Sequence, residues 1–220
     1  MSMYEYQMAE CSNCGNEEKI KIWQSVNVTI DKEEKERILN NTFFKHKCSK
    51  CGEEAYIEYE MLYHDMDKKM MVYLIHDENG EYKEWVGKFL DSEMAGTIIH
   101  VDYILRLVNN QNELKEKIMI RDLNLDDRII EIMKLCYRYE IEESNPRLKI
   151  TETYLNYYNN KYMIVFFLED GRTMESIINK EFYNGLEKEY SEVLDKCDSD
   201  GFEEVNLKWA ESFLELNLKL

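Results

Sequence analysis

The chain has 220 residues but only one proline and eight glycines, so little of it is suited to a flexible linker. Long apolar runs are missing too. The longest strongly apolar stretch, Tyr162 to Leu168, falls far short of the ~20 residues a membrane-spanning helix needs. No membrane partner is therefore expected. The opening residues, Met1-Ser2-Met3-Tyr4-Glu5-Tyr6, contain neither a basic segment nor an apolar core. A secretory signal is not expected, and the expected location is cytoplasmic. Basic charge is scarce: 28 Lys and Arg stand against 45 Asp and Glu, a net charge of −17. Nonspecific nucleic-acid binding runs on Lys and Arg contacts to phosphate, so nucleic acid is not an expected ligand. The deficit is uneven, with 14 acidic and 10 basic side chains among residues 1–76 and −13 on the remainder.

Against this background, two short segments stand out. Cys11-Ser12-Asn13-Cys14-Gly15 and Cys48-Ser49-Lys50-Cys51-Gly52 use four of the six cysteines. A Cys-x-x-Cys turn brings two sulfurs close enough to grip one ion, and two such turns supply the four thiolates of a tetrahedral structural zinc. The glycine after each pair can take a positive φ without a Cβ clash, which tightens the turn. The spacing predicts one structural Zn2+ per chain, held by Cys11, Cys14, Cys48 and Cys51. A disulfide inside each pair is the competing reading, and the absence of an export signal weighs against it. Cys136 and Cys197 sit in apolar helical patterns and read as buried, inert thiols. Lys45, His46, Lys47 and Lys50 surround the second pair, and Lys19 and Lys21 lie near the first. Their expected role is to offset the negative charge of a zinc–tetrathiolate centre rather than to form a nucleic-acid patch.

Between the cysteine pairs, Ile20 and Ile22, then Val26, Val28 and Ile30, recur at period two and predict a strand. Asp31 is placed to cap a short helix through Asn41, with Ile38 and Leu39 inward. Thr42 to Lys47 returns as a strand. Ala55 to Met61 and Met70 to Ile75 read as a hairpin around Tyr63-His64-Asp65-Met66-Asp67. The polar segment from His76 to Gly96, with Asn79-Gly80, is the expected boundary. A short strand around Thr97 to Leu105 follows. Helices are then expected from about Asn112 to Arg121 and from Asn124-Leu125-Asp126-Asp127 to Glu143-Ser144-Asn145-Pro146. Leu148 to Tyr158, Lys161 to Glu169 and Arg172 to Ile178 read as three antiparallel strands, joined at Asn159-Asn160 and Asp170-Gly171. The middle one is apolar on both faces and so central. Two helices close the chain, one with Phe182, Leu186, Tyr190, Val193 and Cys197 on a stripe, the other carrying Trp209, Phe213 and Leu214. The expected fold class is α+β: a zinc ribbon with an inserted helix over residues 1–76, then an acidic α+β domain over 77–220 of antiparallel strands packed on helices. Ile132, Ile164, Phe166, Leu186 and Trp209 are its expected core.

The two Cys-x-x-Cys-Gly segments lie about 34 residues apart. They are followed by Leu62-Tyr63-His64-Asp65-Met66-Asp67-Lys68-Lys69, Asn112-Glu113-Leu114-Lys115-Glu116-Lys117 and Leu125-Asp126-Asp127-Arg128-Ile129-Ile130-Glu131. With these residues the chain resembles the CpXC family, bacterial and archaeal proteins named for paired Cys-Pro-x-Cys motifs and without an assigned function. Ser12 and Ser49 stand where the family has proline, a change that bears on the stiffness of each turn and not on the sulfurs. The resemblance implies the metal site and carries over no catalytic residue.

Other chemistry is sparse. A closed site of four thiolates has no open position for water or substrate. The four histidines are His46, His64, His76 and His100, and none lies in a metalloprotease, hydrolase or phosphate-binding motif. Asp198-Ser199-Asp200-Gly201 suggests a calcium loop, but Lys196 and Leu207 stand where ligands are needed. Asp126 and Asp127 fit first-turn acids on a helix dipole, with Glu131 beyond them. Sixteen tyrosines, with Tyr154, Tyr157, Tyr158 and Tyr162 on one hairpin, suit an interface as well as a strand. The leading reading is a structural zinc-ribbon protein acting through contact with an unknown protein partner, with a homodimer possible. The alternatives are a redox- or zinc-responsive sensor, and an enzyme whose site lies near His100 or His64. A further alternative is nucleic-acid binding by Lys45, His46, Lys47 and Lys50 with an exposed Phe43 or Trp23.

Overall fold

The structure is a computed structural model and describes residues 2–76, 82–91, 102–159, 161–196 and 201–217. It is a mixed α+β chain of two compact units, Met1–Gln111 and Asn112–Leu220.

The first unit is built on a five-stranded mixed sheet in the order β1-β2-β5-β6-β7. Strand β1 (Met3–Glu10) pairs antiparallel with β2 (Glu17–Asn27). Helix α1 (Lys32–Leu39) follows, then the small antiparallel pair β3 (Lys45–Lys47) and β4 (Glu54–Tyr56). This excursion brings β5 (Met61–Asp65) back parallel to β2, and a tight turn joins β5 to its antiparallel neighbour β6 (Met70–Leu74). Every residue of β6, Met70-Met71-Val72-Tyr73-Leu74, is buried, as expected of a strand covered on both faces. Helix α2 (Tyr82–Leu90) stacks Trp85 on Tyr73, ring centroids 4.1 Å apart. Strand β7 (Ile104–Val108) then adds parallel to β6.

That last strand corrects the expected boundary. The sheet begun before residue 76 is completed by Ile104–Val108, so the units divide after Gln111 rather than after residue 76. With that division the charges are 21 acidic and 13 basic against 24 and 15, and the expected acidic asymmetry of the second unit disappears. Three local expectations also shift. Ala55 lies on β4 opposite His46 and not on the β5–β6 hairpin. Ile30 sits in a turn and is 66% exposed. Asp31 occupies the N-cap of α1 without capping it, because its carboxylate accepts from the Ser2 hydroxyl instead.

The second unit carries a three-stranded antiparallel sheet in the order β10-β9-β8, with β8 Ile150–Tyr158, β9 Lys161–Leu168 and β10 Thr173–Ile177. The two-faced apolar strand β9 is central, as its composition demands. Helices α3 (Gln111–Asp122) and α4 (Asp127–Ser144) precede the sheet; α5 (Lys180–Leu194) and α6 (Leu207–Asn217) follow it. Asp126 caps α4 by accepting the Arg128 N–H at 2.8 Å. The core gathers Ile132, Ile164 and Phe166, all fully buried, with Leu186, Leu194 and Phe213. Trp209 packs against it half-buried, stacked on Phe213. On α5 the buried stripe is Tyr183, Leu186, Tyr190 and Leu194, one helical position round from the expected Phe182 and Val193. Cys197 lies outside the described residues.

Candidate metal centre

The sheet topology places the two cysteine segments in matching positions. Cys11–Gly15 is the connection between β1 and β2, and Cys48–Gly52 the connection between β3 and β4. Each is tied the same way: Gly15 N–H donates to the Cys11 carbonyl at 2.9 Å, and Gly52 N–H to the Cys48 carbonyl at 3.0 Å. The loop base closes by Cys11 N–H to the Asn16 carbonyl at 2.9 Å and Cys48 N–H to the Glu53 carbonyl at 2.8 Å. Gly15 and Gly52 have φ of +65° and +76°, the conformation that glycine adopts without a Cβ penalty.

The four sulfurs converge. All lie within 4.8 Å of one another. Cys11 Sγ is 3.7 Å from Cys51 Sγ, and Cys14 Sγ is 3.8 Å from Cys48 Sγ. A tetrahedron with metal–sulfur bonds of about 2.3 Å has edges of about 3.8 Å, whereas a disulfide requires about 2.05 Å. The spacing between the loops therefore fits a shared ion, and all four cysteines are free rather than disulfide-bonded within their pairs. Among the described residues this is the one group of His, Cys, Asp and Glu side chains whose ligand atoms gather in this way. Cys48 is buried, Cys11 and Cys14 are half-buried and Cys51 is exposed.

Further contacts hold the two segments together. Asn13 reaches Cys51 Sγ at 3.7 Å and Asn16 reaches Cys48 Sγ at 3.9 Å, each from one loop to the other. Glu18, on β2 beside the first loop, accepts the Ser49 N–H at 3.1 Å and sits 3.2 Å from His46 Nε2. Hydrogen bonds from the Ser49 side chain and backbone, and then from His46, hold its carboxyl down at about 2. Around the sulfurs, the Asn16 N–H pulls the Cys14 thiol down, but burial and the three neighbouring sulfurs outweigh it and hold it at about 12. The Glu53 N–H brings exposed Cys51 to about 7.

The CpXC protein family matches the chain over residues 9–134. The chain belongs to the CpXC family. No curated protein and no solved structure matches it. The CpXC match begins just before the first cysteine and continues past the first unit into α4. All four cysteines fall inside it.

The other candidate residues fare differently. Lys45 and Lys47 pair with Glu54 across β3–β4 at 2.5 and 4.0 Å rather than with the sulfurs. Trp23 and Phe43 are both buried, ring centroids 6.0 Å apart, and Lys21 lies 3.6 Å over the Trp23 ring. The exposed stacking face needed for nucleic acid is not formed by these two rings. His64 meets the Tyr103 hydroxyl at 3.1 Å, and burial lowers its pKa. Asp65 beside it is engaged by Lys35, Tyr63 and the Lys68 N–H, which fixes the β5–β6 turn. His100 and Asp198-Ser199-Asp200 lie outside the described residues. A cleft of about 330 Å³ in the second unit is lined by Tyr137, Glu140, Ser144, Met174 and Glu175 among others, with no histidine or cysteine among the described residues of its wall. No helix among the described residues is long and apolar enough to cross a membrane.

The sequence did not reveal a charged network inside the second unit. Glu116, Lys117, Asp127, Glu131 and Lys134 are all at most 5% exposed. Lys134 Nζ lies 3.1 Å from both oxygens of Glu116 and 2.9 Å from Glu131 Oε2. Lys117 Nζ meets Asp127 at 3.0 Å, Glu131 at 3.2 Å and the Val205 carbonyl. With three carboxylates and two ammonium groups, burial pushes Glu116 up against the pull of Lys134, while carboxylate attraction outweighs burial and raises both lysines. Asp127 and Glu131 thus serve this network, beyond the first-turn role expected of Asp127. The signal was the facing pair of Glu116-Lys117 on one helix and Glu131 and Lys134, at i and i+3, on the next.

Proposed function

We propose that Cys11, Cys14, Cys48 and Cys51 hold one structural Zn2+ and that the metal-stabilised first unit works through protein–protein contact. The observation that carries the metal is the pair of sulfur–sulfur spacings at 3.7 and 3.8 Å. An all-thiolate tetrahedral set favours zinc among the soft metals and leaves no coordination position for water or substrate, which argues for a structural role. Reduced thiolates of this kind suit a reducing compartment such as the cytoplasm. Protein contact is supported by β1, which runs into the first cysteine loop and exposes Met3, Tyr4, Tyr6 and Met8 at 51–62%. Tyr4, Tyr6 and Met8 share one face of the strand, and grouped exposed apolar side chains mark contact surfaces. Metal analysis of the chain purified under reducing conditions tests the first part: one zinc per chain is expected, and a metal-free or disulfide-bonded chain sinks it. A partner whose binding is lost when the metal is stripped tests the second.

A redox-responsive role is favoured by one observation, the exposure of Cys51 beside two half-buried cysteines and one buried one. Oxidation would start there and release the ion. Zinc retained through mild peroxide treatment would remove this reading.

A further inference from the structure

Strand β1 has β2 on one side, and among the described residues no strand pairs with the other. Sheet edges are ordinarily blunted by charged side chains, lysine above all, by proline, by a bulge or by a covering element; β1 has two glutamates and a register shift at Met3/Tyr4 near its start. The eight residues Met3-Tyr4-Glu5-Tyr6-Gln7-Met8-Ala9-Glu10 contain neither lysine nor proline. Met3, Tyr4, Tyr6 and Met8 are 55, 51, 62 and 60% exposed.

We infer that this edge is covered by a second copy of the chain, β1 pairing antiparallel with the partner's β1 about a twofold axis at Tyr6. Opposed residues in an antiparallel pair share a face and must present outward backbone groups to each other. A symmetric pairing that meets both conditions places one residue on the axis. With Tyr6 there, Tyr4 lies opposite the partner's Met8, and Met8 opposite the partner's Tyr4. On the other face Met3 lies opposite the partner's Ala9, and Glu5 opposite the partner's Gln7. No like charges meet. Gln7, whose amide already donates to Glu5 of its own strand at 2.7 Å, comes within reach of the partner's Glu5. Centring on Glu5 would oppose two carboxylates, and centring on Gln7 would set Tyr4 against the partner's Glu10. With Tyr6 on the axis the strand is self-complementary.

Edge pairing covers the backbone edge and the flanks of these side chains rather than the sheet faces, so the contact stays below about 1,200 Å² in total and fits a weak, reversible dimer. A charge of −17 per chain opposes association, so the dimer tightens as salt rises from low to physiological strength.

This inference rests on the protein-contact reading and names the partner. Sedimentation equilibrium of the zinc-loaded full chain over a concentration series tests it, with circular dichroism and zinc content as fold controls. Gln7→Lys sets an ammonium against the partner's Glu5 twice per dimer and tightens it, while Gln7→Glu weakens it, each by about 2- to 30-fold. Adding Glu5→Lys to Gln7→Glu restores the dimer, and Tyr6→Glu abolishes it. A zinc-loaded chain that stays monomeric at every concentration overturns the inference but leaves contact with a different protein standing. A dimer indifferent to all of these substitutions also overturns it.

Discussion

Replacing Lys134 with methionine removes one cation from the charged network of the second unit and leaves most of the side-chain volume in place. Glu116 then loses a partner at 3.1 Å on each oxygen, and Glu131 one at 2.9–3.0 Å. The Leu155 N–H remains for Glu116 and Lys117 for Glu131. Breaking a buried ion pair from one side costs about 3–5 kcal/mol because the surviving charge has no water to turn to. In a unit of about 100 residues, each kcal/mol shifts the melting temperature by about 4–8 °C. The variant should therefore melt at least ~12 °C lower.

The pH dependence has a definite sign. Burial, ahead of the opposing pull of Lys134, raises Glu116 above the ordinary carboxylate range. The folded state thus binds more protons than the unfolded state between those two values, and stability falls as pH rises through that window. Losing Lys134 widens the window upward, so the deficit relative to wild type should shrink between pH 8 and pH 5. Lys134 itself is raised; the stability it contributes is present below its unfolded pKa and lost only as pH rises through its folded one, so it does not vary over this range. Hydrogen exchange at buried amides of α4 in the full chain reads the second unit directly, with exposed Lys161→Met as control. A deficit below about 1 kcal/mol, or one that does not change with pH, would mean that Lys134 does not hold Glu116 and Glu131 as buried charges.

Two further predictions concern the cysteine loops. Glu18→Ala removes the acceptor of the Ser49 N–H and the partner of His46, and zinc affinity measured by chelator competition should fall about 10- to 100-fold; unchanged affinity would show that Glu18 does not position the second loop. Gly52→Ala meets no close atom beyond Lys47 at 3.8 Å, but φ is +76°, so the left-handed conformation should cost about 1–2 kcal/mol in the melting of the first unit. A neutral result there would mean that the loop relaxes to a negative φ.

The cysteine loops were legible because their chemistry is local: residue type, spacing and the following glycine specify the turn without reference to the rest of the chain. The second unit's strands and helices were legible for a related reason, since β9 is apolar on both faces and α4 and α5 each carry an apolar stripe. The first unit's sheet was not. Its parallel pairings, β2 with β5 and β6 with β7, join segments far apart in sequence, and no local period encodes them. Ala55 was misassigned because a three-residue strand has too few positions to show alternation. Glu116 and Lys134 were missed because a charged residue reads as solvated unless its partner on another helix is known.

The proposed centre has four thiolates sharing one ion. The most direct measurement is native mass spectrometry of the reduced, folded chain beside its Cys48→Ser variant, with the zinc content of each determined independently. The wild-type chain should carry one Zn2+, with near-tetrahedral sulfur at about 2.3 Å by X-ray absorption, and the variant should lose tight binding. A wild-type chain free of metal under zinc-replete conditions, or one that binds zinc equally well without Cys48, would contradict it.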